Sequence, residues 1–142
     1  MPASGERPQL LIDTSVAIAL VAAGHEHHQA TRRAVGDRSC GLCGHAAFET
    51  FSVLTRMPPP NRRTPHSVAR LLAHNFPGSR FLSAQAAERL HPGLAELGIA
   101  GGAVYDALVA ATAAEHGIPL VTRDRRAADT YRALDIDFEL IS

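Results

Sequence analysis

Leu10-Leu11-Ile12-Asp13-Thr14-Ser15-Val16 runs from an apolar triplet straight into an acid and two hydroxyls. Three large aliphatics without polar alternation fit a strand buried on both faces of a parallel sheet. Thr14 or Ser15 can then cap a helix that reaches about Ala22 and closes at Gly24. A carboxylate therefore stands at the carboxyl end of a central strand, where doubly wound sheets collect their ligands.

The same alternation continues outward. Strands are expected at Gln9–Ile12, Ser39–Leu42, Phe81–Leu82, Leu120–Thr122 and Phe138–Ile141. Helices are expected at Glu26–Val35, Ala46–Arg56 and from Thr64-Pro65 onward. Further helices are expected at Ala84–Leu97 (weak at Pro92-Gly93), Ala103–His116 and Arg125–Leu134. Gly117 and Pro119 close the Ala103 helix in the usual order. Short apolar strands alternating with helices predict an α/β fold, a three-layer α/β/α domain on a short parallel sheet.

With 142 residues, one domain over residues 1–142 is expected, residues 1–8 being a loose lead-in. The chain is 46% hydrophobic, which excludes whole-chain disorder. Fourteen cations, all Arg, balance fourteen acids, so no bulk basicity advertises nucleic acid. The longest apolar run, Val16–Ala23, is far short of the roughly 20 residues a bilayer span needs. The first residues lack the apolar core of a secretory signal, and two Cys are too few for a disulfide scaffold. A cytoplasmic protein without membrane association is expected.

Four acids stand out. Asp124 follows Leu120-Val121-Thr122-Arg123 as Asp13 follows its own strand, although either could simply cap the next helix. Asp106 lies on a helix apolar nearly all round, with no cation at intrahelical pairing distance. Glu49 sits similarly within Ala46-Ala47-Phe48-Glu49-Thr50-Phe51, His45 and Val53 lying four residues to either side. Two ionised carboxylates about 4 Å apart repel by on the order of 4 kcal/mol at an effective dielectric of 20. Three or four stay ionised together only around a divalent cation. Oxygen-only ligands select Mg²⁺ or Mn²⁺, and in-line phosphoryl transfer is the chemistry that needs such a site.

These four segments, in this order and spacing, resemble the PIN domains of VapC toxins across nearly the whole chain. The resemblance implies a Mg²⁺-dependent endoribonuclease (Mn²⁺ as substitute) with Asp13, Glu49, Asp106 and Asp124 as catalytic, metal-holding residues and Thr122 as supporting hydroxyl. Asp13 and Asp106 are expected nearest the metal, Glu49 and Asp124 binding directly or through water. Asp129 is a further acid of uncertain register. The resemblance also implies an RNA substrate, a homodimer and a cognate VapB-type antitoxin that inhibits the toxin. The competing reading is a catalytically silent regulator of the same fold that binds RNA or protein.

Cys40-Gly41-Leu42-Cys43 superficially resembles a redox pair, but a turn rather than a long strand precedes it, so small buried residues are expected. His25-Glu26-His27-His28 reads as a solvated loop and first turn, since consecutive residues diverge around a helix. Arg123, Arg125 and Arg126 beside Asp124 are candidates for gripping RNA phosphates, with Arg62 and Arg63 of the Pro-rich break as a second group.

Overall fold

The computed structural model describes residues 6–142. Four three-residue strands, β1 (Leu10–Ile12), β2 (Cys40–Leu42), β3 (Leu120–Thr122) and β4 (Phe138–Leu140), form one sheet in the order β2-β1-β3-β4. Every pairing is parallel. Seven helices connect and cover the strands: α1 (Thr14–Val21), α2 (His28–Val35), α3 (His45–Arg56), α4 (Pro65–Asn75), α5 (Ala84–Glu96), α6 (Ala103–His116) and α7 (Arg125–Ala133).

The period of the strand sorts the core. Leu10, Ile12 and Val121 face one layer, packing with Val16, Leu54, Val68 and Phe76. Leu11 and Leu120 face the other, packing with Val109, Ala110, Ala113, Ala127 and Tyr131. Both faces of β1 are thus covered, which is why its sequence shows no polar alternation. From β1 the chain goes to β2 on one side and then returns to β3 on the other. The carboxyl ends of β1 and β3 therefore flank the topological switch point, the place where such sheets open a crevice.

One expected strand is absent. Phe81–Leu82 forms no strand; the segment before it makes only isolated bridges, Pro77 with Gly41 and Arg80 with Cys43, along the edge at β2. Two residues are too few to extend the ladder, and Phe81 lies half exposed. Pro92 does not interrupt α5. Its helix lies at the surface, where the carbonyl that loses its partner meets water. In the expected lead-in, residues 1–5 lie outside the described residues. Arg7 bonds the carbonyls of His116 and Gly117, and Pro8 is buried against Gly78.

The Cys40–Cys43 segment serves packing. A side chain at Gly41 would collide with the backbone of Gly78, and one at Gly44 with Thr112 of α6. Cys43 Sγ donates to the Val109 carbonyl (3.1 Å), joining the start of α3 to α6. Both cysteines are buried and free. Burial pushes both thiols up, Cys40 to about 11, so neither supplies a thiolate near neutral pH. No described helix is long and apolar enough to cross a membrane.

Candidate active site

Asp13, Glu49, Asp106 and Asp124 line one cavity of about 70 Å³, together with Thr14, Ser15, Val109 and Tyr131. The acids arrive from four elements. Asp13 ends β1 and caps α1; Asp124 follows β3 and caps α7. Glu49 projects from α3 and Asp106 from the first turn of α6, two helices that Cys43, Gly44 and Thr112 hold together. For Asp13 and Asp124, capping and cavity lining prove to be compatible roles. Asp124 accepts from the backbone N–H groups of Arg126 (2.9 Å) and Ala127 (3.3 Å) with Oδ1 alone.

Asp13 is the fixed point of the site. It is only 5% exposed, and each carboxylate oxygen accepts from two donors. Oδ1 accepts from Ser15 Oγ (2.6 Å) and the Val16 N–H (3.4 Å). Oδ2 accepts from Thr122 Oγ1 and from Tyr131 Oη (2.9 Å). Burial holds the proton affinity of Asp13 above its ordinary value, and these four donors offset part of that rise. The two hydroxyls are themselves held: Ser15 Oγ accepts from the Arg123 N–H (2.9 Å) and Thr122 Oγ1 from the Asp124 N–H (3.0 Å). The loop after β3 is therefore stitched to Asp13 by two parallel relays.

Thr122→Val should test that relay. Valine keeps the shape but leaves one buried carboxylate oxygen short of a donor and the Asp124 N–H short of an acceptor. A loss of about 1–3 kcal/mol in unfolding free energy is expected by urea denaturation, with Thr122→Ser recovering part of it.

Asp106 has no such support. Partial burial pushes its carboxyl up to about 6, and the charges of Asp124, Asp13 and Glu49 push in the same direction. The Arg126 guanidinium opposes them weakly. Glu49 lies 3.7 Å from His45 Nε2, one turn earlier on α3. Among the described residues no three His, Cys, Asp or Glu side chains stand close enough to form a ready-made metal cage. The acids surround the space instead of meeting in it, which suits a cation held partly through water.

The other candidates separate clearly. Arg126 lies in the first turn of α7, its charge reaching Asp106, while Arg125 is exposed beside it. Arg123 turns its guanidinium toward the Ser142 carbonyl (3.4 Å). Arg62 and Arg63 do not reach the acids. They line a different cavity of about 720 Å³ with His25, Leu54 and Met57, and Arg62 Nε donates to the Met57 carbonyl. Asp129 is exposed and pairs with Arg132 at 3.0 Å, outside the acidic cavity. In the histidine segment, His28 Nδ1 bonds the Ala19 carbonyl and His27 pairs with Glu26.

The profile of the PIN-domain family matches residues 10–133. The chain belongs to the PIN-domain family. It is 48% identical over 130 residues to Ribonuclease VapC27 of Mycobacterium tuberculosis, covering 92% of this chain and 95% of that one. It is 46% identical over 132 residues to Ribonuclease VapC40 of the same organism, covering 92% and 97%. Its fold matches a chain of the VapBC2 structure from Rickettsia felis, solved with a promoter DNA fragment. The TM-score is 0.65 and identity 13%, over 94% and 98% of the two chains. The sequence kinship places the chain among the VapC-type ribonucleases of that family.

Two residues lining the acidic cavity escape a reading of the sequence. In the sequence Ser15 reads only as a helix cap, and Tyr131 shows no role. Tyr131 carried one available signal: it falls on the apolar face of α7 with Ala127 and Ala128, and a buried phenol needs a partner.

Proposed function

We propose that this protein is a toxin that hydrolyses RNA phosphodiester bonds with a divalent cation held by Asp13, Asp106, Glu49 and Asp124. The carrying observation is the cavity itself: four carboxylates from four elements, three of which raise the proton affinity of the fourth, Asp106, against the opposing charge of Arg126. Such a site favours a hard cation over any neutral ligand. Its oxygen-only donors suit Mg²⁺, with Mn²⁺ as substitute. When bound, the ion would activate water and shield the leaving oxygen.

The side chains divide the remaining work. Asp13, clamped by four donors, sets a fixed direction for its oxygens. Asp106 must be deprotonated to bind a cation, which its carboxyl does above about pH 6. Asp124 lines the cavity while its Oδ1 secures α7. Arg126 places positive charge where a phosphate entering the acidic cavity needs it.

Phosphate grip should be separable from cutting. Arg125→Ala with Arg126→Ala should weaken RNA binding and flatten its salt dependence by about one to two units of log–log slope. The cleavage position should stay the same, because phosphate contacts carry no sequence choice. Salt-series binding and end mapping on one RNA check both halves; an unchanged slope moves the grip to Arg62 and Arg63.

A VapB-type antitoxin is the proposed partner. The PIN fold here leaves an apolar cleft of about 430 Å³ between α3 and α4, walled by Leu42, Phe51, Leu72 and Phe76 and rimmed by Phe48 and Phe81. Those rim rings are 66% and 51% exposed. α3 carries both Phe48 of the cleft rim and Glu49 of the acidic cavity. The VapBC assembly seen for the Rickettsia relative supports this choice of occupant. A homodimer is part of the same proposal, on family grounds.

A further inference from the structure

The chain has seven aromatic residues and no Trp, yet it leaves Tyr105 half exposed in the first turn of α6. The ring is not loose. It stacks on His45, the first residue of α3, with centroids 4.7 Å apart and planes only 19° from parallel. His45 Nε2 lies 3.7 Å from Glu49 Oε1, and Glu49 lines the acidic cavity. One imidazole and one carboxylate therefore join an exposed phenol to the place where the scissile phosphate would sit.

The space around the ring matters as much. Long helical side chains lean back over the preceding turn. Here that turn is Gly101-Gly102, and a side chain added at either glycine would meet nothing within 4 Å. The helices carrying the two rings are locked by Cys43 on Val109 and by Gly44 against Thr112. The stack is preorganised, with open room beside it.

We infer that Tyr105, backed by His45, is a stacking platform for the base of a nucleotide flanking the scissile phosphate. The inference rests on the RNA reading above. A ring face takes any base, so the platform adds affinity and sets the strand's register without choosing sequence. Holding the ring at a fixed angle before RNA arrives lowers the ordering cost of binding. The phenol hydroxyl has no part in this, so Phe should replace Tyr.

The absence of Trp gives a direct readout. Tyr105 and Tyr131 are the two tyrosines, and Tyr131 is buried on Asp13. In an Asp106→Asn background with Mg²⁺, oligo(A) and oligo(U) decamers should quench tyrosine fluorescence as they bind. Adding Tyr105→Phe should keep the affinity within about twofold but abolish the quenching. Adding Tyr105→Ala should weaken binding by roughly 5- to 100-fold, with an unchanged melting curve. In the cleaving parent, Tyr105→Ala should raise KM more than it lowers kcat. Tyr105→Ala binding as tightly as its background, or fluorescence unmoved at saturation, overturns the platform alone. A parent that neither binds nor cuts RNA overturns the underlying reading and the platform with it.

Discussion

Replacing Asp106 with Asn is expected to cut kcat/KM for RNA cleavage by at least about 100-fold, since even outer partners of a metal site cost 10–100-fold when lost. Asn keeps the size of Asp and one oxygen, so the loss reports charge. The same change should not harm the fold. The Asp106 carboxyl sits at about 6, above its ordinary value, because burial and three neighbouring carboxylates disfavour its charge. In the metal-free protein the folded chain therefore holds a proton that the unfolded chain has released over roughly pH 4 to 6. Stability falls as pH rises through that window, and the full penalty remains above it. Asp106→Asn should flatten this part of the curve: a higher Tm than the parent at about pH 8, and little difference at about pH 4. Thermal melts in chelator across pH check the sign, and cleavage assays on the same preparation check the rate.

Growth should respond as sharply. Expression of the parent chain alone should stop a bacterial culture, whereas Asp106→Asn at equal abundance should not. Co-expression of a VapB-type partner encoded beside the gene should restore growth. The cleft between α3 and α4 gives the reason, since its exposed Phe48 and Phe81 are an apolar surface that water leaves uncovered at a cost. Phe81→Asp puts a charge on that rim, far in chemistry from the acids' own work. Toxicity should then persist despite the partner. Growth restored by the partner as fully as for the parent would remove the cleft from the interaction.

What the sequence could reveal was what depends on neighbours along the chain. The apolar triplet before Asp13 and the Leu120-Val121 pair before Thr122 announce two buried parallel strands, and the acids that follow them, Asp13 and Asp124, both fall at the switch point. Asp106 was legible because a helix with no local cation gives its charge no local partner. Nearness between elements was not legible. The Tyr131–Asp13 bond spans 118 positions and the Thr122–Asp13 bond 109, so no spacing rule reaches them. Arg62 and Arg63 carry charge suited to RNA, and no local pattern announces that the fold sets their loop on a cavity apart from the acids. Phe81–Leu82 had strand-like residues without the length to join a ladder. The histidine at the head of α3 gave no sign of its role until α6 brought Tyr105 over it.

The most direct test is to soak crystals of the protein in Mn²⁺ and locate the ion by its anomalous scattering. The account predicts a single strong peak within the cavity bounded by Asp13, Glu49, Asp106 and Asp124, absent from Asp106→Asn crystals grown alike. A peak seated elsewhere, or an acidic cavity left without one in protein that still cuts RNA, would contradict it.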